Sequence, residues 1–182
     1  MIWLILGLAL WVAGHGFKRA LPDVRANLGD AGRGIVAVVV IAGVVLMVIG
    51  YRSWYAPPLY TPPTWGLHLN NLLMLIAVIL FGLGSSKSTL RGSLRHPMLS
   101  GLALWAVAHL LANGDWADVV LFGGLGLWAL AEMQIINRAE PDWERPEPGT
   151  MAGTLKLFAI SGVLYVVIAA LHTWLGPWPF AT

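Results

Sequence analysis

The stretch RHPMLSGLALWAVAHLLANGD, Arg95 to Asp115, sets two histidines, a proline and a tryptophan in an apolar run of helix length between a basic entrance and an acidic exit. An ionisable or metal-ligating side chain inside a membrane helix is costly and marks a functional site by default, so His109 is the first residue whose presence needs a reason. Gly101, Trp105 and His109 are spaced by four and share one helix face. Two arrangements suit that face. A flat cofactor could lie against it, with Gly101 giving clearance and Trp105 an aromatic wall. Alternatively, it forms a helix–helix seam in which Gly101 lets two backbones approach and His109 hydrogen-bonds across. His96 precedes Pro97, and proline suits the first turn of a helix, so His96 falls at or near an N-cap beside Arg95. Free amides, the positive end of the helix dipole and a cation suit an anion such as a haem propionate, a phospholipid headgroup or a substrate carboxylate. The same two residues also serve as a plain basic anchor.

The other histidines are less pointed. His15 ends a stripe with Gly7 and Trp11 but lies three residues before Lys18, where an interfacial role and a ligand role are both open. His172 and His68 fall at the ends of their apolar runs and read as interfacial. Asn70, Asn71, Glu132 and Gln134 are the remaining polar residues in or near the runs. Glu132 reads as the one carboxylate on the apolar side of a boundary, where it either snorkels to the interface or meets a basic group. No nucleophile–base–orienter set can be assembled from these residues, which argues against hydrolysis. The chain has no cysteine. Disulfides, iron–sulfur clusters, thiolate-ligated haem and cysteine zinc sites are therefore excluded, and a metal would need His, Met or carboxylate ligands.

The elements that position these residues follow from composition. Of 182 residues, 58% are hydrophobic and 11% charged, against about a quarter charged in soluble domains. Crossing a bilayer core of roughly 30 Å takes about twenty apolar residues. Six segments qualify as candidates, 2–17, 34–51, 66–84, 97–113, 117–136 and 154–175. They are continuously apolar rather than alternating, so the expected fold is all-α, a polytopic bundle of about six transmembrane helices forming one domain over 1–182. Ten of the eleven Lys and Arg residues fall in the first, third and fifth connections or at their edges, and only Arg52 falls on the other side. The positive-inside rule then puts both termini outside, with those three connections in the cytoplasm. The first segment lacks a basic start and a clear cleavage site, so it reads as a retained helix rather than a signal peptide. Ser53 to Trp65, rich in Trp, Tyr and Pro, reads as an interfacial loop, and Asn137 to Gly149 as a flexible cytoplasmic one. No phosphate loop, internal repeat or soluble domain stands out. The net charge of +2 is topological bias, not a nucleic-acid patch.

The Arg95–Asp115 segment, HGFKRALPDVRANLGDAGRG near the N-terminus and PPTW before His68 together resemble the bacterial NnrU family over nearly the whole chain, most specifically in RHPxLxGxxLWAxAHxLANGD. The resemblance implies a bacterial inner-membrane protein, its termini periplasmic, associated with denitrification genes. A more distant resemblance is to 15-cis-zeta-carotene isomerase, a membrane enzyme with histidine-ligated haem b. This resemblance implies haem b here, with His109 and His15 as the metal ligands and Trp105, Gly101, Arg95 and His96 around the cofactor. The relative's cysteine position is Ala106, which removes a thiolate ligand switch.

Depth complicates the pair. At 1.5 Å per residue, His109 lies roughly 20 Å from the Arg95 boundary and His15 about 5 Å from Lys18. Two axial ligands need nearly one depth, which requires shifted helix boundaries or a strong tilt. Failing that, His172 or His68 matches His109.

The implied partners are membrane lipid, haem, a hydrophobic small molecule or components of a nitrogen-oxide reductase, and no nucleic acid. Two alternatives remain. RHPxLxG also resembles the RHPxYxG motif of membrane methyltransferases that use S-adenosylmethionine, with Glu132 and Glu140 the available glutamates and Met98 and Leu99 departing from the pattern. Otherwise the chain is a cofactor-free assembly factor whose Trp- and Gly-rich helices are partner surfaces.

Overall fold

The computed structural model describes residues 1–176 and 178–180, and the end of the expected domain, Ala181 and Thr182, lies outside them. Every regular element among the described residues is helical. In chain order they are α1 (Ile2–Ala20), α2 (Pro22–Asn27), α3 (Gly29–Ser53), α4 (Gly66–Leu83), α5 (Pro97–Ala112), the single turn α6 (Trp116–Asp118), a π-helical stretch (Val119–Gly123), α7 (Gly124–Ala139) and α8 (Met151–Leu175). Six of these positions coincide with the six predicted segments. Trp116–Ala139 forms one continuous helical run, and it, α3, α4 and α8 are long and apolar enough to cross a membrane. α5 is shorter at 16 residues, about 24 Å. α1 has 19 residues and ends on Lys18 and Arg19.

Large apolar side chains face outward along these helices. Val38 of α3 is 66% exposed and Val163 and Val166 of α8 are each 65% exposed. An exposed apolar surface of this extent marks contact with lipid, the reverse of a soluble domain. The protein is a helical membrane protein.

One departure from expectation lies between the first two long helices, where the sequence reading left a loop. Pro22 opens α2 at its first position with Asp23 in the first turn, both ordinary helix-start signals. α2 then meets α3 through Gly29, whose φ of +50° suits only a residue without a Cβ, and Arg25 Nη1 donates to the Gly29 carbonyl at 2.8 Å.

Contacts group the chain into two units, residues 1–59 with 115–124 and residues 60–114 with 125–182. In the first, α1 packs along α3 through a seam of glycines. Gly7 and Gly14 are seven apart on α1, as are Gly43 and Gly50 on α3. A Cβ on Gly7 would stand 2.6 Å from the Met47 nitrogen and 2.7 Å from the Gly43 oxygen, and a Cβ on Gly50 would run into the backbone of Leu4. Because lipid tails are as apolar as Leu, helices in a membrane associate through such close backbone packing and not through hydrophobic burial. The start of α6 is held to this pair. Asp115 and Asp118 form a reciprocal capping box, each accepting from the other's backbone N–H at 2.9 Å, and Tyr51 Oη donates to Asp118 Oδ1 at 2.6 Å.

In the second unit α4 and α5 form an antiparallel hairpin joined by α8. Gly66 abuts the Leu111 carbonyl at one end of the hairpin, and Gly101 faces the Ala77 carbonyl and Phe81 near the other. The segment between α4 and α5 is stapled to the start of α8. Thr150 N donates to the Lys87 carbonyl at 2.9 Å, and the Ser88 and Thr154 hydroxyls are 3.0 Å apart and buried.

Candidate functional site

His109 sits in the last turn of α5, and three groups fix that turn. The Asn113 side chain and backbone N–H both donate to the His109 carbonyl at 2.9 Å. Tyr60 Oη bonds the Leu110 carbonyl and, at 2.7 Å, the Asn113 carbonyl, taking up oxygens that a helix end otherwise leaves unpaired. Tyr60 N closes the loop by donating to Gly114 O at 3.0 Å, an approach so close that a Cβ on Gly114 would meet the Tyr60 carbonyl. The ANGD that follows His109 is therefore a helix stop, and the Tyr- and Pro-rich segment expected to be a passive interfacial loop is what clamps it.

The imidazole is oriented by its own helix. His109 Nδ1 lies 2.9 Å from the Trp105 carbonyl. A carbonyl only accepts, so Nδ1 carries the hydrogen, which leaves Nε2 as the nitrogen through which an uncharged ring would ligate a metal. The Trp105 ring backs it with centroids 4.8 Å apart. His172, in the last turn of α8, stands 6.4 Å from His109 between ring centroids, with the planes inclined by 42°. Its Nδ1 is likewise 3.2 Å from a carbonyl four residues back, that of Ile168. His109 is half-buried and His172 exposed.

In the other unit α1 repeats the device. His15 Nδ1 is 2.8 Å from the Trp11 carbonyl, and the two rings are 4.3 Å apart. The local sequences are GLALWVAGH, Gly7 to His15, and GLALWAVAH, Gly101 to His109. An internal repeat is thus present after all. It was visible in the sequence as a shared Gly-Leu-Ala-Leu-Trp followed by His at the same spacing, and reading single helix faces passed over it.

The remaining residues divide away from His109. His96 is the N-cap residue of α5, as its place before Pro97 suggested, with Nε2 2.9 Å from Asn137 Oδ1 of α7. Arg95 bonds the carbonyls of Glu140 and Pro141 just beyond α7. Thirteen residues of helix, about 20 Å, separate this end of α5 from His109, so Arg95 and His96 secure the end of α7 instead of sharing a site with it. Gly101 is buried against α4. Of the two arrangements open to that face, the helix seam occupies the glycine, and a flat group there would have to displace Phe81. Ala106, the position of the distant relative's cysteine, is 2% exposed and packs opposite Gly126. His68 is exposed in the first turn of α4.

Two carboxylates correct the sequence reading. Glu132 is buried and does not snorkel, and Asp118 is a second carboxylate inside an apolar run, also buried. Its signal was legible as the Asp-x-x-Asp of a capping box. Asn70, 8% exposed, donates to Asn71 Oδ1 at 3.1 Å while its own Oδ1 is buried without a protein partner.

Among the described residues no three His, Asp or Glu side chains meet at one point. A closed four-ligand protein site of the zinc type has no donors here. A pair of imidazoles suits a metal whose other positions are filled by a macrocycle.

The sequence model of the NnrU protein family matches residues 3–179. The chain belongs to the NnrU family. No curated protein and no solved structure matches this NnrU protein.

Proposed function

We propose that this NnrU protein binds haem b at His109, in a bacterial inner membrane with both termini on the periplasmic side, and serves nitrogen-oxide metabolism as a sensor, redox partner or isomerase-like protein. The observation that carries the proposal is the state of His109. An imidazole sits at the end of an apolar helix, with Nδ1–H tied to the Trp105 carbonyl and an indole beside it. Hydrogen bonding of the far nitrogen sets tautomer and ring direction and raises ligand basicity. The sequence resemblance also implies His15, whose ring makes the same backbone hydrogen bond in the other of the two units. Haem brings redox and small-ligand chemistry, while the protein sets axial ligation and polarity.

The engagement of Arg95 and His96 with the end of α7 favours this reading over a methyltransferase, in which the same motif would hold S-adenosylmethionine. The test is the visible spectrum of the full chain, purified in detergent after expression with haem supplementation. A stoichiometric Soret band that His109→Ala abolishes, with membrane insertion unchanged, supports the proposal. A flat visible spectrum refutes it and returns weight to S-adenosylmethionine binding, measurable by calorimetry, or to a cofactor-free assembly role.

A further inference from the structure

His172, which the sequence reads as interfacial and as one of two depth-matched alternatives, is the histidine that the fold places beside His109. We infer that His172 supplies the second nitrogen ligand to the metal at His109, so that the haem site lies wholly within one unit, between the last turns of α5 and α8. This inference rests on the haem reading above and names the ligand pair.

These observations carry it. The ring centroids are 6.4 Å apart, and two imidazoles on opposite faces of one iron, with bonds of about 2 Å and the distance from each nitrogen to its ring centre added, come to about 6 Å. Both rings hold Nδ1 on a carbonyl four residues back, so both have the ligating tautomer. Both also end their helices, α5 at Ala112 and α8 at Leu175, which gives them the common depth that two axial ligands require.

The bland account of the same contact is an aromatic pair that merely joins α5 to α8, and the two accounts differ in spin state. In the haem-loaded full chain, oxidised wild type should give low-spin electron paramagnetic resonance and, on reduction, sharp α and β bands. His172→Ala should keep the haem on His109 but turn it high-spin, lose the sharp α band, and recover both on addition of free imidazole. His172→Met should stay six-coordinate with a raised reduction potential, since methionine in place of histidine shifts haem potentials upward. His15→Ala should leave the spectra unchanged. If His172→Ala remains low-spin while His15→Ala turns high-spin, the haem reading stands and the pair is His15 with His109, which overturns this inference alone. A wild-type protein with no Soret band overturns both.

Discussion

Gly7→Ala tests whether close helix packing, rather than apolar burial, holds the first unit together. The added Cβ would stand 2.6 Å from Met47 N and 2.7 Å from Gly43 O and Met47 Cγ, where ordinary contact is 3.4–4 Å. Two of the three obstacles are backbone, so no rotamer change relieves them, and α1 must move off α3 by about 0.7 Å or more. That motion also loosens Leu4 against Gly50 and Gly14 against Val40, the other close approaches along the seam. Overpacking of this kind costs about 1–3 kcal/mol, or roughly a fivefold to hundredfold shift in the unfolding equilibrium. Gly34→Ala is the control, because a Cβ there meets nothing within 4 Å on the same partner helix. The assay is reversible unfolding in mixed detergent–SDS micelles, followed by helical circular dichroism. Gly7→Ala should unfold at lower SDS fraction and Gly34→Ala at the parent's or higher. Equal midpoints for the two variants would refute a backbone-contact seam.

Further outcomes follow from single hydrogen bonds. Tyr51→Phe removes the donor to buried Asp118 Oδ1 and should cost about 1–3 kcal/mol in the same unfolding assay, whereas Tyr55→Phe, on a fully exposed side chain, should cost nothing measurable. Tyr60→Phe uncaps the Leu110 and Asn113 carbonyls and should destabilise by about 1 kcal/mol while speeding hydrogen exchange at the end of α5, with no change at the start of that helix. Asn70→Leu removes a buried oxygen without a protein partner and should leave the SDS midpoint unchanged or raised, and a fall would mean that a bound water or ligand satisfies that oxygen. Because the chain has no cysteine, single-cysteine labelling reads topology cleanly: Tyr55→Cys should react with an impermeant maleimide in intact spheroplasts and Asp142→Cys only after permeabilisation.

The six long helical segments were legible because each is an unbroken apolar run, and their ends were legible where a capping residue stood. Pro97 placed the start of α5 to the residue. Other starts moved outward, that of α8 to Met151 although Thr150 caps it by accepting from Gly153 N. α3 begins at Gly29 rather than 34 because charged Asp30 and Arg33 lie in its first turns, where a helix can project beyond the apolar layer. α2 escaped notice because six residues give no periodicity, although its Pro22 and Asp23 are helix-start signals. At the site, chemistry was legible one histidine at a time and pairing was not. His109 announces itself through Trp105 and the ANGD stop. Its nearness to His172 is a property of how α8 lies against the α4–α5 hairpin, and only the depth argument pointed toward it. Arg95 and His96 show the opposite failure. Adjacent in sequence to the site helix and apt for an anion, they stand at its far end, where α7 uses them.

The repeated nonapeptide makes plain why identical local sequence need not give identical chemistry. GLALWVAGH and GLALWAVAH both fold to a helix with histidine backed by tryptophan and the same tautomer. In both, the leading glycine is spent on packing, Gly7 on α3 and Gly101 on α4. What differs is how the helix ends. After His15 the helix runs on through Lys18 and Arg19 to Ala20, two cations within about one turn. After His109 it stops within three residues at Asn113, with its last carbonyls tied down by Tyr60. A ferric porphyrin would carry net positive charge at the iron, and the exposed Lys18 and Arg19 disfavour a further cation beside them. The partly negative end of a short, capped helix favours that charge. On the proposed reading, the copy at His109 is therefore the one suited to carry the iron. His15 is suited instead to the cationic end of α1, where an imidazole tied to its own helix keeps a polar ring at the membrane boundary.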